Sequence, residues 1–351
     1  MSETNERAPL LPRPVQASGH AHQFAQSDSH VDLTPSRVLI LYEREWSDLQ
    51  QPIYLRVCHS SHRVINQKVL LFLRFIFASY LSAVFGVSLK YKLENDDEHT
   101  RWRIPFQFST VAFCIQWAYH LLSTIWTALH LVSPKAIEVN PAECHGHRFR
   151  AYTLRFFSPP NMAVCGIRRF LFSLFYTIAH VFPFMNTVLY WALLVPSGHG
   201  GFKPPALPHH HHISPPHDNA TIAGFSPDKG LFEEHPIKAF SIINVWSITS
   251  IIGVIEIFFL NSIRRQTSIT GHIAAVMLCS GAYLLWAALG KLITGHSGLF
   301  FLDPDLMGET PVPIITGSIL FIALTPGFFT YMYGLVAMRE TVTAVHHDSS
   351  Y

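Results

Sequence analysis

Apolar residues run almost unbroken through six stretches of this chain, at 67–89, 106–132, 170–195, 239–262, 272–294 and 312–338. A spanning helix needs about 20 such residues, and breakers or charges flank each stretch. The pattern predicts an all-α integral membrane protein, a six-transmembrane-helix bundle behind a disordered N-terminal tail. Residues 1–65 then form a cytosolic tail, 66–340 the membrane domain and 341–351 a short cytosolic tail. The second span departs from uniform apolarity by carrying Ser109, Gln116, His120, Ser123, Thr127 and His130. At about 100° per residue these six share roughly a quarter of the helix circumference. Polar groups in lipid are costly, so the stripe is expected to face protein or a water-filled cavity.

Composition sharpens this picture. Hydrophobic residues make up 49% and charged residues 14%, with mean hydropathy +0.24, which excludes an ordinary soluble domain. A net charge of +2 gives no reason to expect nucleic acid as a partner. Cys58, Cys114, Cys144, Cys165 and Cys279 are scattered, two of them inside spans, so no disulfide framework is expected. The start of the chain is polar, and the first span is expected to serve as its own insertion signal. With the N-terminus in the cytosol, 16 Lys and Arg residues lie on the cytosolic side and eight on the other. That excess predicts both termini in the cytosol.

The segments between spans add candidate sites. Residues 1–35 have few aliphatics and no apolar period, hence the disorder, while 36–65 mix apolar and charged residues as a surface-lying segment does. In the tail, Glu6 stands at a fixed spacing from Leu10 and Leu11. That arrangement matches acidic dileucine signals that adaptor complexes read, which would route the protein within the endomembrane system, to a vacuole, lysosome or the endoplasmic reticulum. The basic loop at 133–169 suits an anionic cytosolic leaflet. Its Cys144, His145, His147 and Cys165 fit no standard zinc spacing, so no metal site is read there. The loop at 197–238 is rich in Gly, Pro and His and carries the acceptor Asn219-Ala220-Thr221. Glycosylation at Asn219 requires a lumenal position, in agreement with the charge-derived orientation. Its histidines are read as a tolerated low-complexity insertion ahead of a metal-gathering device.

Two charges lie inside spans. Arg74 sits near the cytosolic end of the first and Glu256 about 9 Å inside the cytosolic end of the fourth. Matched depth predicts an ion pair between these helices.

The stretch Trp102-Arg103-Ile104-Pro105-Phe106-Gln107-Phe108-Ser109-Thr110, with Cys114-Ile115-Gln116 after it, resembles the androgen-induced and androgen-dependent family of multi-pass membrane proteins. Phe240 to Glu256 and Gly281-Ala282-Tyr283-Leu284-Leu285-Trp286 resemble it as well. The resemblance spans roughly 67–338 and implies six spans, a cytosolic N-terminus, no cofactor and a membrane-lipid substrate. Characterised members are intramembrane threonine hydrolases that cleave fatty-acid esters of hydroxy fatty acids, using a threonine on the second helix and a histidine on the fourth. An imidazole there takes the hydroxyl proton and returns it to the leaving alcohol.

Aligning Ile115-Gln116 puts Ser109 at the nucleophile position and Thr110 beside it; Ser109 lies on the polar stripe and Thr110 about 100° away. The fourth span, Ser241 to Ser250, contains no histidine. His235, just before that span, is the candidate base, and Asn244 a candidate oxyanion donor. His120 is about 16 Å below Ser109 on the same helix, too far for proton transfer. Three readings follow: a lipid ester hydrolase with a Ser/Thr nucleophile, a non-catalytic lipid- or protein-binding membrane protein, and a transporter with a metal-gathering loop. Transport is the least favoured, because Glu256 stands alone among carboxylates within the spans.

Overall fold

A computed structural model describes residues 53–62, 65–95, 101–132, 166–196, 236–265, 269–295, 297–302 and 311–348. Glu6, Leu10, Leu11, the Cys144–Cys165 group, Asn219 and His235 lie outside the described residues. Among those described, the chain is helical throughout, without strands. We label the six long helices α1 (Gln67–Asn95), α2 (Phe108–Val132), α3 (Gly166–Val188), α4 (Pro236–Leu260), α5 (Ile269–Thr294) and α6 (Val312–Asp348). Five of them, all but α2, are long and apolar enough to cross a membrane. With 25 residues α2 matches them in length, about 37 Å, but its polar stripe lowers its apolarity.

The bundle is apolar outside, unlike a soluble protein, and its apolar core also holds charged and polar side chains. Leu278, Leu285 and Leu292 recur every seventh residue along α5 and are 74%, 75% and 85% exposed. Phe72 and Phe75 on α1 and Ile315 and Ile319 on α6 also face outward. So much exposed aliphatic and aromatic surface belongs in lipid. Arg74, Gln116, His120, His180, Glu256 and Arg339, by contrast, are buried within the bundle. The stripe explains the position of α2, which packs between α1 and α3. Its Ser109, Gln116, His120, Ser123 and Thr127 are buried, while His130 at its end is half-buried, its ring against His59.

Helix α4 is not regular. Wide five-residue turns at Asn244–Ile248 and Glu256–Leu260 interrupt α-helical segments. Such turns loosen the backbone ladder and leave carbonyls for other donors. Gln116 Nε2 takes one of them, Thr249 O, at 2.7 Å, and Asn186 Nδ2 takes Val245 O at 3.1 Å. A similar wide turn, Leu189–Leu194, extends α3.

The structure differs from the hydropathy reading at two places. A short helix, Ile53–Val57, tucks under the bundle with Tyr54 against Trp126 and Phe172. Helix α6 continues beyond its apolar stretch to Asp348. Arg265 supports that extension, its Nε lying 2.7 Å from Glu340 Oε2 and its backbone N–H donating to Oε1.

Next to the short helix, Cys58 is fully buried, and burial pushes its thiol up to about 12. Only the thiolate attacks a maleimide, so Cys58 is expected to stay unlabelled at neutral pH in the folded protein. Mass spectrometry should find it modified only after denaturation; rapid modification of the native protein would contradict this packing.

Candidate functional site

Two polar centres occupy opposite ends of the bundle. The first is built around Arg74. Its Nη1 donates to Ser123 O at 3.1 Å and Thr127 Oγ1 at 2.8 Å, and its Nη2 to Leu260 O at 2.6 Å. Nη2 also lies 3.0 Å from Glu256 Oε1, with both side chains fully buried. The structure thus brings together the two charges that sequence depth had paired. Tyr119 donates its hydroxyl to the same oxygen at 3.0 Å.

This centre also finishes α4. The last carbonyls of a helix have no partner in their own helix, and in lipid each would be costly. Here Arg339 donates to Ile257 O, Asn261 O, Asn261 Oδ1 and Ile263 O, while His62 Nε2 donates to Phe258 O and Ser60 Oγ to Phe259 O. Arg74 completes the set at Leu260. The centre is a structural clamp first: Arg74 ties α1 to α2, and the other bonds hold the end of α4 to α1, α2, α6 or the segment before α1.

The second centre is a chamber of about 350 Å³ at the other end, within the ~300–1,000 Å³ usual for small-molecule sites. It lies where the end of α1, the start of α2, the end of α3 and the start of α4 meet residues 297–300. Its walls are mainly aromatic and aliphatic, among them Phe85, Phe113, Leu189, Ile242 and Trp246. The polar lining comprises Ser88, Tyr91, Gln107, Ser109, Thr110, Ser241, Ser297 and the cations Lys92, Arg103 and Lys238. No carboxylate is among the described lining residues.

The start of α2 owes its position to the turn before it. Ile104–Phe106 is a single 3-10 turn ended by extended Gln107. Tyr283 donates to Phe106 O at 2.8 Å and Trp286 Nε1 to Pro105 O at 3.0 Å, pinning the turn to α5. Phe108 N then donates to Gly298 O at 3.4 Å. Ser109 and Thr110 follow in the first helical turn, where backbone N–H groups lack intrahelical partners and the helix end is positive. Lys92 Nζ reaches across from α1, 2.6 Å from Gln107 Oε1 and 3.3 Å from Thr110 Oγ1.

Ser109 and Thr110 both line the chamber, although helical geometry predicted that they diverge. Thr110 looks two ways, because it also lines a groove of about 1040 Å³ on the far side with Cys114, Cys279 and Trp286. Asn244 is not brought to the chamber. The wide turn that begins at Asn244 sets it toward α1, where Oδ1 accepts from the Tyr80 hydroxyl, and its Nδ2 donates to Phe240 O at 2.8 Å. Its place as an oxyanion donor is therefore corrected. No described histidine lines the chamber, and His120 and His180 lie deep in the bundle.

Sequence reasoning missed Lys92, Arg103 and Lys238 as site residues. It used none of the three as part of the site, although all of them line the chamber with Ser109. No protein-family model, curated protein or solved structure matches this chain.

Proposed function

We propose that this is a six-span membrane protein that takes an acyl lipid into the chamber, with α2 as the sixth span. The observation that carries the reading is the division of the chamber wall. The chain of an acyl lipid meets Phe85, Phe113, Leu189 and Trp246, which offer it the apolar surroundings it has in the bilayer. A polar, anionic head meets Lys92, Arg103, Lys238 and the positive start of α2. The N-terminus is placed in the cytosol, which puts the chamber at the lumenal leaflet of an endomembrane and Asn219 on the lumenal side.

Binding of a fatty acid carrying a dansyl group at its chain end tests this on protein in lipid nanodiscs. Saturable fluorescence enhancement is expected, and Ile242→Trp, which fills the chamber, should abolish it. Lys92→Gln with Lys238→Gln should weaken the acid by about 1.5–3 kcal/mol, roughly tenfold to a hundredfold, while hardly affecting its methyl ester. Binding that ignores Ile242→Trp would sink the proposal.

A second reading, hydrolysis of a fatty-acid ester, is favoured by the hydroxyls of Ser109 and Thr110 in one chamber with the N–H end of α2. In this reading Ser109 is the nucleophile, Thr110 its neighbour, His235 the base, and the first-turn amides of α2 take the oxyanion role once given to Asn244. A fluorophosphonate should label the folded protein, lose its target in Ser109→Ala and keep it in Thr110→Val. The opposite dependence would move the nucleophile to Thr110. Absence of labelling, with acid binding intact, would leave lipid binding without turnover.

A further inference from the structure

Away from the chamber, several fully buried polar atoms beside the Arg74 clamp have no protein partner. They are Glu256 Oε2, His180 Nε2, both ring nitrogens of His120, Gln116 Oε1 and Arg74 Nε. Their inventory is unbalanced. His180 Nδ1 lies 2.7 Å from Tyr176 O, which can only accept, so Nδ1 carries the hydrogen and a neutral ring presents Nε2 as an acceptor. Glu256 Oε2 is an acceptor, as is Gln116 Oε1, whose NH₂ gives one of its two hydrogens to Thr249 O. A neutral His120 adds one acceptor and one donor. Acceptors therefore outnumber donors, and the protein supplies nothing to fill them.

The groups belong to one neighbourhood. The Tyr119 ring packs on those of His180 and Tyr176, with centroids 5.1 and 5.7 Å away, while its hydroxyl donates to Glu256. His120 and His180 both interact electrostatically with Glu256, and Arg74 and Arg339 add positive charge from α1 and α6. Helix α4 passes close to His180 at this level: a Cβ on Gly253, one turn before Glu256, would lie 3.6 Å from His180 Cδ2, the carbon bonded to Nε2, and 3.5 Å from the Phe184 ring.

We infer that His120, His180 and Glu256 surround an internal water site next to Gly253, in the middle of the bundle. Water is the ligand whose chemistry fits: each molecule brings two donors to an acceptor-rich pocket and accepts from Arg74 Nε or His120. A metal ion is a poorer match, because no group of three or more His, Cys, Asp or Glu among the described residues is placed to hold one. Bound water joins the two imidazoles and the carboxylate into one hydrogen-bonded chain of protonatable groups on α2, α3 and α4.

X-ray radiolysis of the full chain in lipid nanodiscs provides the test, since hydroxyl radicals form at bound water and oxidise adjacent aromatic rings. Tyr119 is fully buried, yet it should be oxidised several-fold faster than Phe321 and Phe329, which are buried in the apolar core. Tyr119 as inert as those phenylalanines would overturn the inference. His180→Phe removes the Nε2 acceptor and keeps an aromatic ring in its place, and it should bring Tyr119 oxidation down to the level of Phe321. Undiminished oxidation in that variant would remove the water from beside His180 and overturn the site as drawn.

Discussion

Replacing Arg74 by Met is expected to cost about 3–5 kcal/mol, because it leaves the buried Glu256 carboxylate without its countercharge. Glu256→Leu should cost a comparable amount by stranding the guanidinium. The pair lies at 3.0 Å with neither side chain exposed, so solvent screening does little to soften either loss. Joining both replacements should recover part of the cost and give a coupling of about 0.5–3 kcal/mol. Recovery stays partial, since Arg74 also serves Ser123 O, Thr127 Oγ1 and Leu260 O, and those acceptors lose their donor in the double variant too. Thermal unfolding of the four proteins in one detergent gives the cycle. Strict additivity would show that the charges are held independently.

Gly298→Ala is expected to be the most damaging added methyl among the described glycines. A Cβ there would run into the carbonyl of Phe106, and backbone cannot swing aside as a side chain can. The Phe108–Gly298 hydrogen bond would break, and with it the register that delivers Ser109 and Thr110 to the chamber. Overpacking of this kind costs about 1–3 kcal/mol and more where the obstacle is rigid. Binding of the dansyl fatty acid should fall along with stability. Gly86→Ala and Gly327→Ala are matched controls: both lie in helices with nothing within 4 Å of the added carbon, so they should be neutral or stabilise slightly. If Gly298→Ala behaves like these two, the close approach of the two segments is wrong.

The helices and the inward stripe were legible because both are one-dimensional patterns. Apolar runs give the spans, and a fixed angle per residue gives the buried face of α2. The Arg74–Glu256 contact was legible from depth alone, since each charge is costly by itself and the two share a level. What escaped notice depends on register between elements. The wide turns of α4 insert residues into its ladder without any marker in the sequence, and they turn Asn244 toward Tyr80 and away from the chamber. Likewise Arg339 reads as the charge that ends an apolar run, yet it is almost fully buried and donates to four oxygens at the end of α4. Lys92 meets Thr110 only because the Ile104–Phe106 turn folds back on α5, a tertiary event that no local window contains.

The capping of α4 has a consequence for how the chain is made. Its terminal carbonyls are served by Ser60, His62 and Arg74, synthesised before it, and by Arg339, synthesised well after it. During translation the fourth helix must therefore wait in the membrane with part of its polar end unanswered. A chain stopped before α6 would leave the oxygens of Ile257, Asn261 and Ile263 without the donor that Arg339 supplies. Docking of α6 is thus the step that completes the end of α4.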